Sequence, residues 1–588
     1  MTIGTLMTRI ACLCFTSIPL MCIPQAICAQ STCLNDDEEH LSNHGACICC
    51  EGTATGIRID QPFAMHSIMK FPQAIYVAEC LKNNNIALSN TITVRKEELM
   101  QYTWSPMLQM FSSEKDFSYA ELLELSLAQS DNNACDILFK QLGGPDKVED
   151  YLHKLGFTGI HIKWTEREMG INPCRAADNN CTPKDMARLA EWLYLNKEQN
   201  EYLRFVYETM ANCKTGAERI SSVIPEGSTF VHKTGTGFPS KDKVQDRNDV
   251  GIILLPDGQH VCIAVFVPDA RQERDVATIA QECLMRTQAD AFLKHMTPNL
   301  QHTQTLAIIK AMDGDNSDLE AVRQSRNAEP QYADNVQTRM ITPTMRIYEP
   351  KHSHEKSLPV MLYLHGGGWT FGSINSCGRF CNAMAASGAM RVIALDYRLA
   401  PEHPYPMALN DCIAALQHII SHSDELHIDT NRITLGGDSS GGNLALATAL
   451  SKQHRGSIES LLLFYPVTKA FDDGSTSWQL YGKGYGLDAE IMETFNRAYT
   501  MQADSRCTAI SVGLCSDDEL RALPRTLLIA AERDILCDQG RELASRMGSK
   551  ATRIEYKGAV HLFITVPGQD AAFQRAVKDA VAYITQCP

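Results

Sequence analysis

The run Ile433-Thr434-Leu435-Gly436-Gly437-Asp438-Ser439-Ser440-Gly441-Gly442-Asn443-Leu444-Ala445 constrains its half of the chain more than any other segment. An apolar, strand-like stretch breaks at glycines and resumes at once as a helical pattern. A chain turns that sharply only where glycine removes the Cβ clash, so a G-x-S-x-G set here implies strand, tight turn and helix, with Ser439 exposed at the helix start. Around it, Val360-Met361-Leu362-Tyr363-Leu364, Val392-Ile393-Ala394-Leu395 and Leu527-Leu528-Ile529-Ala530 alternate with helical stretches. That alternation implies a mostly parallel sheet covered by helices on both faces.

At 588 residues the chain is long enough for two large domains. From Gln272 to Met296, apolar residues (Val276, Ile279, Ala280, Cys283, Leu284) recur at helical spacing, and the pattern stops at Thr297-Pro298-Asn299. Residues through Gln304 are polar apart from Leu300. We read 30–296 as a first domain, 297–304 as a flexible linker spanning on the order of 15 Å, and 305–588 as a second domain. With 54 Lys+Arg against 69 Asp+Glu, the formal charge is −15, and no basic run interrupts it. Nucleic acid and anionic membrane surfaces are therefore poor partners, and small-molecule substrates are expected.

Residues 1–29 read as a secretory signal peptide. Arg9 precedes an apolar stretch broken by Pro19 and Pro24 and ending at Ile27-Cys28-Ala29, too interrupted for a membrane anchor. The mature chain is then secreted, with the periplasm as its compartment. Of 22 cysteines, Cys12, Cys14, Cys22 and Cys28 leave with the leader, and the remaining 18 could pair as disulfides or stay as thiols. Cys47-Ile48-Cys49-Cys50 has no second C-x-x-C at finger spacing, so no metal is expected.

Ser67-Ile68-Met69-Lys70 opens an apolar helical stretch. Residues three apart share a helix face, so the Lys70 ammonium can reach the Ser67 hydroxyl. Ser130-Asp131-Asn132 and Lys233-Thr234-Gly235-Thr236 follow in order, the latter after the strand-like Phe230-Val231-His232. Together these sets resemble the S-x-x-K, S-D-N and K-T-G elements of class A β-lactamases and penicillin-binding proteins over roughly residues 40–296. The resemblance implies an antiparallel sheet with a helical subdomain. It makes Ser67 the nucleophile, Lys70 and Glu166 its proton acceptors, and Ser130 the donor to the departing lactam nitrogen. Asn132, Lys233, Thr234, Gly235 and Thr236 then face the substrate, with Ser67 and Thr236 amides as oxyanion donors. Arg219 resembles an auxiliary carboxylate-binding arginine, and Trp104 an aromatic residue at the site's rim.

Two positions depart from that pattern. Gly170 stands where an asparagine commonly helps to hold the deacylating water, and Trp164 where an arginine commonly braces the loop. The loop is then held in another way, as in the divergent extended-spectrum branch of class A, or deacylation is slow. A Cys174–Cys181 disulfide is one conceivable brace.

In the second half, His365-Gly366-Gly367-Gly368-Trp369 ends a strand in a glycine run upstream of Ser439. Asp534 follows a strand, and His561 comes 27 residues later. With Asp396-Tyr397-Arg398-Leu399-Ala400-Pro401-Glu402, residues 305–588 resemble the hormone-sensitive-lipase family of α/β-hydrolase carboxylesterases. The resemblance implies a Ser439-His561-Asp534 triad, oxyanion amides from Gly367, Gly368 and Ser440, and a helical cap within 305–345. Neither site calls for a cofactor. The expectation is a bifunctional hydrolase of β-lactams and short-chain esters. The alternative is a β-lactam sensor or D,D-carboxypeptidase-like first domain with an esterase or docking second domain.

Overall fold

The computed structural model describes residues 41–110, 113–225, 227–239, 244–256, 258–296, 298–351, 357–451 and 456–585. The leader read at 1–29 lies outside the described residues. Contacts divide the chain into two units, with the boundary between Thr287 and Gln288.

In the first unit, β1 (Gly45–Cys50), β2 (Thr53–Ile57), β3 (Thr229–Thr236), β4 (Gln245–Leu254) and β5 (His260–Ala270) form an antiparallel sheet ordered β2-β1-β5-β4-β3. The C-x-x-C set lies in β1, where Cys47 and Cys49 are buried as ordinary core residues. Beyond the sheet, the Lys70–Asn83 helix is surrounded by other helices, and Phe71, Ala74, Ile75, Val77, Ala78 and Leu81 are all buried. A helix apolar on nearly every face has to be central. The His66–Met69 turn at its start lies against β3, whose Gly235 allows the approach: a Cβ there would sit 2.5 Å from the Met65 carbonyl oxygen.

In the second unit, β6 (Val336–Thr342), β7 (Met345–Pro350), β8 (Leu358–Leu364), β9 (Arg391–Leu395), β10 (Ile428–Asp438), β11 (Ser460–Phe464), β12 (Arg525–Arg533) and β13 (Ala551–Val560) form one sheet ordered β6-β7-β9-β8-β10-β11-β12-β13. It is parallel from β9 to β13, and only the β6 and β7 pairings are antiparallel. Strand β8 is buried along its whole length, as a central parallel strand must be.

Three sequence expectations are corrected. Residues 298–304 are not a flexible linker: a helix runs from Pro298 to Met312, with Ala307, Ile308 and Ala311 buried. Proline suits a first helical turn, and this helix's apolar face comes only after its polar start. The cap is not confined to 305–345. The Pro298–Met312 helix packs against the distant Ala489–Thr500 helix, while β6 and β7 already belong to the sheet. Finally, the described cysteines are free thiols, and no bond joins exposed Cys174 to buried Cys181. Cys181 is held in a short strand paired with Phe63 and Ile160.

Candidate active sites

Around Ser67 the helical spacing works as the sequence implies. Lys70 Nζ is fully buried and donates to Ser67 Oγ at 2.6 Å, to Asn132 Oδ1 at 2.8 Å and to the Glu166 carboxylate. Ser67 Oγ lies 3.4 Å from Glu166 Oε1. Ser130, at φ 59°, takes the left-handed conformation that few serines adopt. Its hydroxyl accepts from Lys233 Nζ at 2.9 Å. Asp131 fixes this corner by capping the Asn132–Leu142 helix and accepting from Ser105 Oγ and Met107 N.

Lys233 has no solvent exposure. Burial first, and then the nearby Lys70 charge, pull its ammonium down to about 7. Thr234 and Gly235 are buried beside it, while Thr236 opens to solvent.

Glu166 starts a short helix capped by Thr165. Two residues that sequence reasoning missed hold its loop. Asp136 accepts the backbone N–H groups of Glu166 at 2.8 Å and Arg167 at 2.9 Å. Burial, followed by the Glu166 charge, pushes the Asp136 carboxyl up to about 7. Asn179 Oδ1 accepts from Lys163 N and Trp164 N, and its Nδ2 donates to the Trp164 carbonyl. These bonds brace the loop, and Trp164 adds to them: its Nε1 donates to Asp178 Oδ2 at 2.8 Å and the Arg175 guanidinium lies 4.0 Å over its ring. At Gly170 a Cβ would meet nothing within 4 Å, so the missing asparagine leaves open space.

Arg219 is buried, and all five of its N–H donors are engaged: with Glu273, the carbonyls of Gly235 and Asn248, and Thr236 Oγ1. Through Nη2 it holds Thr236 Oγ1 at 2.7 Å. Trp104 is 64% exposed, with Nε1 donating to the Gln129 carbonyl, so it lies on the surface and not in the core.

In the second unit, Ser439 sits between β10 and the Ser440–Leu450 helix at φ 53°, the strained turn that the motif implies. Its Oγ lies 3.2 Å from His561 Nε2, and His561 Nδ1 lies 2.6 Å from Asp534 Oδ2. All three are buried. Asp534 also accepts from Leu536 N, and Gln569 holds the His561 carbonyl, a support with no sequence signal near the motif. A Cβ on Gly441 would come within 2.0 Å of the Leu364 carbonyl, so only glycine lets the helix start meet β8.

The glycine run is shaped by its neighbours. Asp438 accepts from Gly366 N and Tyr363 Oη at 3.0 Å each, and burial raises its carboxyl to about 6. Gly367 and Gly368 both have positive φ, and the Phe495 ring covers Gly368, 2.1 Å from where a Cβ would sit. Ser440, the first residue of its helix, is fully buried.

Two activated serines on two different folds define a chain of two serine hydrolases. A model of the beta-lactamase enzyme family matches residues 49–285, and one of the alpha/beta hydrolase fold matches residues 361–565. Beta-lactamase VEB-1 of Pseudomonas aeruginosa is 33% identical over 223 residues, covering 37% of this chain and 75% of the relative. Extended-spectrum beta-lactamase PER-1 of the same organism is 31% identical over 229 residues, covering 38% and 74%. An acetyl esterase of Salmonella schwarzengrund is 31% identical over 229 residues, covering 38% and 69%. The chain therefore belongs to the class A β-lactamases through its first half and to the α/β-hydrolase esterases through its second. Among the described residues, no helix is long and apolar enough to cross a membrane.

Proposed function

We propose that the chain is a secreted, periplasmic enzyme that opens β-lactam rings through a Ser67 acyl-enzyme, conferring resistance, and hydrolyses short-chain carboxylic esters through Ser439. The observation that carries the first reading is the convergence of Ser67 Oγ, Asn132 Oδ1 and Glu166 Oε1 on one buried ammonium, that of Lys70.

In acylation, Ser67 attacks the lactam carbonyl while its proton passes to the Lys70–Glu166 pair. Ser130, hydrogen-bonded to Lys233, delivers a proton to the leaving nitrogen. The Ser67 and Thr236 amides receive the oxyanion, and Lys233, Thr234 and Thr236 receive the substrate carboxylate. Glu166, 3.4 Å from Ser67 Oγ, stands where it activates the water that releases the acyl group. This favours turnover over the sensor reading, which needs a site without such a base.

At the second site His561 takes the Ser439 proton and returns it to the leaving alcohol, while Asp534 orients the ring and stabilises the imidazolium. Gly367, Gly368 and Ser440 supply the oxyanion amides. Support for export comes from the leader-like sequence at 1–29.

Mass spectrometry of a Glu166→Ala variant mixed with a penicillin tests the lactamase reading. A persistent adduct on the Ser67 peptide is expected, and turnover at the parental rate would overturn the assignment of Glu166.

A further inference from the structure

The boundary between the two units falls inside the Arg274–His295 helix, so its last turns, from Gln288 on, belong with the second unit. These residues lie outside both family matches, 49–285 and 361–565. Three of them reach the segments that hold His561. Asp290 Oδ1 accepts from Arg533 Nη1 at 2.5 Å, and Arg533, which is buried, stands directly before Asp534 in the chain. The same guanidinium donates to the Gly558 carbonyl through Nε at 3.0 Å and through Nη2 at 2.5 Å. Gly558 N in turn donates to Glu532 Oε2 at 2.6 Å. The end of β12 thus grips β13 through both backbone groups of Gly558, three residues before His561.

Two neighbours of Asp290 bear on the same place. Gln288 Oε1 accepts from Ala571 N at 2.8 Å, just beyond Gln569. Gln569 is fully buried, accepts from Val560 N at 3.0 Å and donates to the His561 carbonyl at 3.0 Å. Phe292 and Ala289 are buried in one cluster with Val560, and Leu562 packs against it. An ion pair, a hydrogen bond and an apolar contact from one short stretch of helix therefore converge on residues 558–562 and their supports. His561 sits on the turn after β13, so its aim at Ser439 Oγ, 3.2 Å away, depends on where that strand end is held.

We propose that Asp290 is a positioning residue for the Ser439 site, acting through Arg533 on the strand that carries His561, with Gln288 and Phe292 fixing the same segment. Without the Asp290 carboxylate, the Arg533 head group loses the bond that turns its Nε–Nη2 edge towards Gly558. A reacting group misplaced by about 1 Å costs on the order of 10²-fold in rate. The positioning role stands on the triad geometry, whereas an ester as the substrate rests on the reading above.

The test labels the full chain with a fluorophosphonate and follows the Ser439 peptide by mass spectrometry. Ser439 Oγ attacks phosphorus, a P–O bond forms, fluoride leaves, and the serine proton passes to His561, so the rate reports the aim of the base without the choice of an ester. Asp290→Ala should label at least about tenfold more slowly. Asp290→Asn, which keeps an acceptor oxygen but no charge, should lose less, and Asp290→Glu should recover most of the parental rate. With p-nitrophenyl acetate the loss should fall on kcat and leave KM nearly unchanged. Labelling of Asp290→Ala at the parental rate, slowed labelling that Asp290→Glu does not relieve, or a loss confined to KM would overturn the role. A parent chain whose Ser439 labels but which turns over no ester would overturn the esterase reading instead, and the labelling rates would still decide the role of Asp290.

Discussion

Asp136 accepts the backbone N–H of Glu166 at 2.8 Å, so the carboxylate facing Ser67 is held from behind by a second, buried acid. Removing that acceptor in Asp136→Ala leaves the Glu166 and Arg167 amides unpaired, a cost of about 1–3 kcal/mol. We expect β-lactam kcat to fall at least tenfold with ester turnover unchanged. Asp136→Asn, which keeps one acceptor oxygen, should lose less. Parallel kinetics with nitrocefin and p-nitrophenyl acetate check this, and equal rates in all three proteins would contradict the bracing role.

Gly170 offers a gain-of-function test. Its missing Cβ faces open space, so Gly170→Asn should fold normally and place an amide where a deacylating water can be held. Acyl-enzyme decay measured after a penicillin pulse should quicken. Unchanged or slower decay would mean that the water is already held by other groups.

The shift at Lys233 has a definite sign. An ammonium depressed to about 7 is cationic below that pH and neutral above it, so its pull on a substrate carboxylate fades as pH rises. For the free enzyme, β-lactam kcat/KM should decline across the region above about pH 7. Lys233→Arg, whose guanidinium stays charged, should flatten that limb. A profile that is flat in the parent, or identical in the two proteins, would argue against Lys233 as the titrating group.

In the esterase half, Gly368 has φ +61° and its Cβ direction points into the Phe495 ring. Gly368→Ala must displace either the ring or the oxyanion loop. Loss of one oxyanion donor costs about 10²-fold or more in kcat. Ester turnover should fall by that order while nitrocefin hydrolysis holds, and ester kinetics near the parental value would show that the loop tolerates the side chain.

Much of both sites was legible because their chemistry is local. Ser67 and Lys70 lie three residues apart on one turn, and Ser439 sits in a glycine-framed corner that only one local geometry satisfies. What escaped depends on the tertiary fold. Asp136 bonds amides about 30 residues away, and Asn179 bonds Lys163 and Trp164 across the loop, so neither carries a motif. Arg219 was visible as a residue but not as a commitment, because Glu273 reaches it from 54 residues downstream. The polar run at 297–304 was misread since its composition says nothing of Ala307 and Ile308, which supply the helix's buried face. The Cys174–Cys181 bond raised as a brace for the loop does not form, both being free thiols, because the bracing bonds come from Asp136 and Asn179 instead.

On the proposed function each unit uses its own nucleophile, proton acceptor and oxyanion amides, so the two activities should be separable by single hydroxyl removals. The most direct measurement is nitrocefin and p-nitrophenyl ester turnover by the full chain beside its Ser67→Ala and Ser439→Ala variants. Ser67→Ala should lose lactam hydrolysis and retain ester hydrolysis, and Ser439→Ala should do the reverse. Loss of both activities from either substitution, in a protein whose circular dichroism and melting are unchanged, would contradict two independent serine hydrolases in one chain.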